Sequence, residues 1–231
     1  MLGIIGAMDE EVAKLKEQMT EVQVRKKANM EFVQGVMEGK QVVVVRSGIG
    51  KVNAGICAQI LVDDYRVDGI INTGIAGSLR AEINIGDIVI STDAVQHDMD
   101  AVAFGYPLGQ IPRMDVFSFE ADKELAKLAE DCCHRVIPQV GIFHGRVASG
   151  DAFIASHERK TKIVNEFDAF CCEMEGAAIA QAAYLNGIPF LIIRAISDKA
   201  DDSASMDYPA FEAMAIQNSV KLIKEMVVHV S

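Results

Sequence analysis

Short apolar segments that alternate with helical segments constrain the fold of this chain most strongly. Residues 2–6, 69–72 and 189–196 are apolar runs that predict buried strands, and amphipathic or Ala-rich stretches lie between them. Such alternation is typical of an α/β domain with a mostly parallel or mixed central sheet. The chain has 231 residues and shows no repeat, linker or low-complexity tract, which predicts one domain over residues 1–231.

The remaining elements follow from the same patterns. Residues 32–37 and 41–46 alternate in polarity around a Glu-Gly-Lys turn and predict a hairpin. Asp9 is the predicted N-cap of the first helix. The other predicted elements are helices over 10–19, 121–135, 176–184 and 208–228, a helix ending near residue 65, strands over 140–147 and 170–174, a strand starting near residue 86, and loops over 73–78 and 149–151.

Charge and hydropathy narrow the classes of partner. The formal net charge is −11, which repels phosphate backbones and anionic membranes. The single basic cluster, residues 25–27, is interpreted as the solvated edge of a hairpin. No apolar run reaches the roughly 18 residues that a membrane span requires, and the first residues contain no basic segment typical of a signal peptide. We therefore expect a cytoplasmic protein that binds neither nucleic acid nor membrane.

Cysteine, histidine and glycine patterns argue against several kinds of cofactor site. The five cysteines form no C-x-x-C pair and the five histidines show no ligand spacing, so no metal site is expected and the thiols are interpreted as inert core residues. GIIGAM lacks the G-x-G-x-x-G dinucleotide fingerprint, and SGIGKVNAG is not a P-loop. Both segments are interpreted as strand-to-helix turns, and no cofactor is predicted.

Three acidic residues are predicted to lie where α/β folds usually form their ligand sites. Glu11 and Glu175 begin helices, and Asp198 follows an apolar strand that contains Arg194. Ligands of open α/β sheets bind outside the carboxyl ends of the strands, so these carboxylates are candidates for acid–base chemistry. Structural roles remain open from the residues alone: Glu11 and Glu175 as helix-start charges, Asp198 as a turn cap, and Arg194 as half of a core ion pair.

Eight segments together resemble one known family over nearly the whole chain. The segments are GIIGAMDEEV, SGIGKVNA, INTGIAGS, GDIVIS, AFGYPLGQIP, SGDAFI, EMEGAAIA and RAISDKAD. In this order they resemble the bacterial 5′-methylthioadenosine/S-adenosylhomocysteine nucleosidases. The resemblance implies a nucleoside phosphorylase-like fold, a three-layer α/β/α sandwich around a mixed and partly closed sheet. It also implies a cofactor-independent hydrolase of adenine thionucleosides that forms a homodimer.

The resemblance implies a role for each acidic residue. Glu11 activates the attacking water, and Asp198 protonates N7 of the purine so that adenine leaves as a neutral molecule. Glu175 binds the ribose hydroxyls. Ser197 and Arg194 are expected to support Asp198 and Glu11 respectively. These assignments fit glycosidic cleavage, in which a carboxylic acid protonates the leaving group, a carboxylate activates water and the sugar becomes cation-like.

The remaining site residues are also implied by the resemblance. Ile75 departs from the smaller or polar residue of many relatives, so its effect on the pocket is left open. Variation in QHDMDAVAF leaves the preferred 5′ substituent open as well. The expected contacts are Phe153 and Ile154 with adenine, Met174, Ala7, Met8, Ile49 and Val102 with the sugar and thioether, Phe104, Tyr106 and Pro112 with the alkylthio group of the neighbouring subunit, and Tyr208 as a lid.

Two other functions compete with this interpretation. A nucleoside phosphorylase of the same fold needs a phosphate site, which the acidic residues 9–11 disfavour. A non-catalytic nucleoside-binding protein needs neither an acid nor a base, so substitution of Glu11 or Asp198 would leave its behaviour unchanged. A dinucleotide-dependent enzyme is disfavoured because the glycine fingerprint is missing.

Overall fold

The computed structural model describes residues 1–230, apart from the side chain of Met206. Its elements are β1 (Leu2–Gly6), α1 (Asp9–Lys16), β2 (Thr20–Lys27), β3 (Met30–Met37), β4 (Lys40–Arg46), α2 (Lys51–Tyr65), β5 (Gly69–Ser78), β6 (Ile88–Gln96), β7 (Phe119–Glu120), α3 (Lys123–Val136), β8 (Ile142–Ser149), α4 (His157–Phe167), β9 (Cys171–Glu173), α5 (Gly176–Asn186), β10 (Phe190–Asp198) and α6 (Ala204–His229). A short 3₁₀ turn covers Val102–Phe104.

The strands form one mixed sheet that closes on itself at one end. Its order is β10-β6-β8-β9-β5-β1-β4-β3-β2, and β10 also pairs with β5, which completes a five-stranded ring. Parallel pairs join β1 to β4 and β5, and β5 to β10. Beyond the ring, the sheet continues from β5 through β1 and β4 to the antiparallel edge strands β3 and β2. The predicted α/β class with a mixed, partly closed sheet is confirmed.

Helices cover the sheet in two groups, and the central strands are buried between them. Helix α2 packs against α5, whereas α1 and α3 pack against α6. Every residue of β1, β5 and β10 is buried, as expected for parallel strands that are covered on both faces. Within residues 1–230, no helix is long and apolar enough to cross a membrane.

Two boundaries near the site differ from the sequence-based prediction. Residues 73–78 were predicted as a loop, but β5 continues to Ser78 because its backbone pairs with β10 and β9 there. Asp198 is likewise the last residue of β10 rather than a loop residue. Both strands are therefore longer than their apolar runs, and their polar or glycine-rich ends form the wall of the site.

Further differences lie in the outer elements. Helix α1 has Met8 at its N-cap, so Asp9 is its first helical residue, and the helix ends at Lys16 rather than residue 19. Helix α4 was not predicted, although Ser156 caps it by accepting a hydrogen bond from Arg159 N. The basic residues 25–27 lie on β2, an exposed edge strand, which agrees with their interpretation as a solvated edge.

Candidate active site

A cavity of about 500 Å³ opens at the carboxyl ends of β1, β5, β9 and β10. All three acidic candidates from the sequence lie in its wall. It is lined by Ala7, Met8, Glu11, Ile49, Ile75, Ala76, Gly77, Phe153, Cys172, Glu173, Met174, Glu175, Ser197, Asp198, Ser205, Tyr208 and Pro209. The location agrees with the general rule for ligand sites in α/β sheets.

Glu11 is fixed by three backbone donors. Its Oε2 accepts hydrogen bonds from the N–H groups of Ala7 at 2.6 Å and Met8 at 2.9 Å, and its Oε1 accepts one from Ile75 at 3.2 Å. The side chain is buried, and burial raises its pKa against the opposing effects of the Arg194 charge and these N–H groups. A rigid carboxylate with a raised pKa is suited to accept a proton from water.

Glu175 is the N-cap residue of α5, yet its carboxylate does not cap the helix. Instead, Oε1 accepts a hydrogen bond from Gly50 N at 2.8 Å, across the cavity wall from the turn before α2. Burial and the negative charge of Glu173 raise the pKa of Glu175 to about 7, against the Arg194 charge and the Gly50 bond. Because the side chain does not cap α5, its oxygens are available to accept hydrogen bonds from a ligand.

Asp198 lies at the end of β10 with both oxygens bound. Oδ2 accepts a hydrogen bond from Ser197 Oγ at 2.9 Å, and Oδ1 accepts one from Ala200 N at 2.8 Å. Burial raises the pKa of the carboxyl group above its usual value, although both hydrogen bonds oppose the change. A carboxyl group that favours its protonated form can act as a general acid.

Arg194 contacts a different carboxylate from the one expected. Its Nη2 donates to Asn72 Oδ1 and to Glu173 Oε2, and the Arg194–Glu173 ion pair is almost completely buried. Among residues 1–230, Arg194 donates no hydrogen bond to Glu11. Arg194 therefore lowers the pKa of Glu11 through its charge alone. Glu173 was not predicted from the sequence, although the two closely spaced glutamates of the segment EMEG are a usable signal.

Two aromatic rings and two methionines shape the apolar part of the cavity. The rings of Phe153 and Tyr208 meet edge to face, with centroids 5.9 Å apart, and the Tyr208 hydroxyl lies 3.3 Å from Met8 Sδ. Met174 lies on the wall next to Glu175, and nearly half of the Phe153 surface is exposed. Apolar walls with a few polar groups are typical of small-molecule sites, and an exposed ring is free to stack on a planar ligand.

The remaining predicted residues divide into two groups. Ile154 does not line the main cavity but a small adjoining one, which also contains Asp198 and Met174. The predicted residues of the segment 102–112 do not line the main cavity of this chain: Val102, Phe104, Tyr106 and Pro112. Phe104 is 83% exposed.

A second cavity, of about 560 Å³, lies at the opposite edge of the sheet. Its wall includes Met1, Gly69 and Pro189, which precede or begin β1, β5 and β10. It is slightly larger, but its acidic residues serve the surface structure: Asp68 pairs with Met1 N, Asp122 caps helix α3 by accepting a hydrogen bond from Leu125 N, and Asp131 pairs with Lys127. Since acid–base catalysis requires carboxyl groups held in a defined and partly desolvated position, the cavity that contains Glu11 and Asp198 is the candidate active site.

Comparisons with known proteins agree with this fold. The Phosphorylase superfamily model matches residues 1–228, and the chain therefore belongs to that superfamily. A 5′-methylthioadenosine/S-adenosylhomocysteine nucleosidase of Staphylococcus aureus is 42% identical over 98% of this chain and 99% of its own length. Within the superfamily, the chain belongs to the 5′-methylthioadenosine/S-adenosylhomocysteine nucleosidase family.

Two solved structures have nearly the same fold. The nucleosidase of Neisseria meningitidis, in complex with methylthio-immucillin-A, has a TM-score of 0.95 at 36% identity and covers 99% of both chains. The futalosine hydrolase of Helicobacter pylori has a TM-score of 0.94 at 35% identity, and the match covers 99% of this chain and 97% of that one. The family resemblance predicted from the sequence is confirmed.

Proposed function

We propose that this protein hydrolyses the N-glycosidic bond of 5′-methylthioadenosine and S-adenosylhomocysteine. The products are adenine and either methylthioribose or S-ribosylhomocysteine. Support comes from the buried carboxylates of Glu11, Glu175 and Asp198 around one cavity and from the names of the relatives at 41–42% identity.

The position of Glu11 favours hydrolysis over phosphorolysis. The N–H groups at the start of a helix form a common binding site for phosphate. In this chain the N–H groups of Ala7 and Met8, at the start of α1, already bind the Glu11 carboxylate. A phosphate ion at that place would have to displace a buried anion or lie against it. A water molecule at that place is not repelled by the Glu11 carboxylate, which can accept its proton.

The proposed mechanism uses one base and one acid. Asp198 donates a proton to N7 of the purine while the bond between C1′ and N9 breaks, so adenine leaves as a neutral molecule. Positive charge develops on the ribose and is stabilised by the nearby carboxylates. Glu11 takes a proton from water as the water oxygen bonds to C1′, and Glu175 accepts hydrogen bonds from the ribose hydroxyls. General acid and general base effects each contribute roughly 10²–10⁴-fold to such rates.

The apolar part of the cavity fits the rest of the substrate. The Phe153 ring and the backbone near Ile154 are proposed to hold adenine next to Asp198, and Met174 to pack on the sugar. Ala7, Met8, Ile49, Ile75 and Tyr208 surround the sugar and thioether end of the proposed site. Both proposed substrates suit an acidic protein, because methylthioadenosine is neutral and the homocysteine adduct is zwitterionic.

As part of the same proposal, the enzyme is a homodimer that acts in the cytoplasm in methionine salvage. Exposed apolar side chains lie on α2, on α5 and on the 3₁₀ turn, including Val52, Leu185 and Phe104. Apolar surface of this kind is a common feature of interfaces between copies of a chain. The partner's Phe104, Tyr106 and Pro112 are then proposed to close the alkylthio end of the site. The five buried, unpaired cysteines are consistent with a reducing compartment.

A product assay tests the proposal. The purified protein is incubated with methylthioadenosine with and without phosphate, and the purine and sugar products are separated. We expect equal release of adenine in both cases, together with free methylthioribose. Formation of methylthioribose-1-phosphate only when phosphate is present would identify a phosphorylase and overturn the role of Glu11. No release of adenine, with unchanged nucleoside binding after substitution of Asp198, would identify a binding protein.

The same assay defines the 5′ substituent. One structural neighbour is named a futalosine hydrolase, so the substrate panel contains methylthioadenosine, S-adenosylhomocysteine, 5′-deoxyadenosine and futalosine. The proposal predicts the highest kcat/KM for the first two nucleosides. A higher kcat/KM for futalosine would retain the hydrolytic mechanism and correct the substrate.

A further inference from the structure

One buried carboxylate beneath the site has no role in the proposed mechanism. The Glu173 side chain is 3% exposed. Its Oε2 accepts hydrogen bonds from Gly176 N at 2.8 Å and Glu175 N at 3.2 Å and forms the ion pair with Arg194, and Oε1 accepts a hydrogen bond from Ser149 Oγ. A single side chain of β9 thus joins β8, β10 and the first turn of α5.

Glu173 performs the capping that the N-cap residue itself does not perform. The first N–H groups of a helix lack partners within the helix and are usually bound by the N-cap side chain. In α5, Glu173 binds the N–H groups of Glu175 and Gly176, and Ser149 Oγ binds that of Ala177 at 2.7 Å. The Glu175 carboxylate is therefore not needed as a cap, and it points toward Gly50 and the cavity.

The charge of Glu173 also offsets that of Arg194. The charged groups that face Glu175 are Glu173 from β9, Arg194 from β10 and Glu11 from α1. Arg194 is paired with Glu173, and the two charges act on the Glu175 pKa in opposite directions. Without the charge of Glu173, the buried guanidinium would act on Glu175 and Glu11 with little screening.

We propose that Glu173 is a positioning residue of this site, which holds the start of α5 and the Arg194 guanidinium so that the Glu175 carboxylate faces the ribose. The inference rests on the proposed function, in which Glu175 binds the ribose hydroxyls. Glu173 contacts neither water nor purine in the proposed mechanism, so it acts through Glu175 and Arg194.

The test is Glu173→Gln, which keeps the size of the side chain and an oxygen acceptor but removes the charge. We expect the Glu175 carboxyl group to titrate about one pH unit lower than in the wild type. The titration is measured by ¹³C NMR of the labelled carboxyl group, and Glu175→Gln assigns the signal. For the hydrolysis of methylthioadenosine, we expect the acidic limb of the kcat/KM profile to move in the same direction. The KM should rise about tenfold. Glu158→Gln, an exposed glutamate in the first turn of α4, is the matched control.

The outcomes separate this inference from the proposed function. An unchanged titration of Glu175 in Glu173→Gln would overturn the inference, even if the variant were less active. If the wild-type protein released no adenine, the proposed function would fail, while the NMR titration would still decide the role of Glu173. If Glu173→Gln did not fold, Ser149→Ala would remove the hydrogen bonds of Ser149 Oγ with Ala177 N and Glu173 Oε1 without a change in charge. The KM should then rise with kcat nearly unchanged, and an unchanged KM would overturn the inference.

Discussion

Gly74 and Glu11 approach so closely that a Cβ atom built on Gly74 would lie 2.5 Å from Glu11 Oε1. The same atom would lie 3.1 Å from Arg194 Nη1. Neither neighbour is free to move, because Glu11 is held by three backbone N–H groups and Arg194 by its buried ion pair. Gly74 on β5 therefore makes room for the proposed base.

The first prediction is that Gly74→Ala displaces Glu11. The additional methyl group forces a shift of the carboxylate, and we expect a loss of stability of about 1–3 kcal/mol, typical of overpacked cores. The kcat for methylthioadenosine should fall at least tenfold. Urea unfolding and steady-state kinetics measure the two effects. Gly55→Ala is the control, because a Cβ there meets no atom within 4 Å and lies in a helix, where alanine is about 1 kcal/mol more favourable.

The second prediction concerns Asp198 as the acid. Asp198→Asn keeps an oxygen acceptor for Ala200 N and a polar partner for Ser197 but removes the proton that the purine needs. We expect kcat to fall by about 10²–10⁴-fold while the melting temperature changes little. Asp202→Asn, an exposed residue of the same connection, should be unchanged. Retention of near wild-type kcat in Asp198→Asn would assign the acid to another group.

The sequence predicted the acidic residues of this cavity better than the strands that surround them. Glu11, Glu175 and Asp198 were candidates because of their places at strand and helix ends, their roles were implied only by the family resemblance, and the structure places all three around one cavity. The glycine-rich end of β5 was mistaken for a loop because glycine is typical of turns. Its glycines instead allow Glu11 and Asp198 to approach, since a Cβ on Gly77 would lie 2.7 Å from Asp198 Oδ1.

The contacts of Glu173 could not be predicted from the sequence, because its partners are distant along the chain. Its contact with Ser149 follows from the parallel register of β8 and β9, in which these two residues are partners. Its contact with Arg194 joins strands separated by helix α5. An isolated arginine in an apolar strand predicts a buried partner, but several nearby acids fit that requirement. Glu11 was the expected partner of Arg194, but the closed arrangement of strands brings Glu173 to Arg194.

The third prediction is a pH dependence of stability that involves Glu175. Its pKa in the folded protein is about 7, above the usual value of 4.5, so the folded state binds more protons between these pH values. The stabilisation is fully present below about pH 4.5 and is lost as the pH rises through about 7. Its upper limit is about 3 kcal/mol, at 1.36 kcal/mol for each pKa unit.

Glu175→Gln tests this dependence because glutamine remains neutral. In urea unfolding at pH 5 and pH 8, the variant should lose less stability with rising pH than the wild type. Glu11 and Asp198 also have raised pKa values, so a weaker dependence of the same sign should remain. Equal slopes for the two proteins would show that Glu175 titrates at its usual pKa. Glu158→Gln supplies the control for the loss of an exposed glutamate.

The fourth prediction concerns Phe104, a residue that is 83% exposed and lies outside the cavity lining of its own chain. If the ring closes the alkylthio end of a partner's site, Phe104→Ala should raise the KM for methylthioadenosine about tenfold, consistent with about 1.4 kcal/mol of lost apolar contact. The kcat should change less, because the acid and base are untouched. Val24→Ala, exposed on β2, is the control. Light scattering should show a dimer for both variants at micromolar concentration, and a monomeric wild-type protein with an unchanged KM in Phe104→Ala would contradict the shared site.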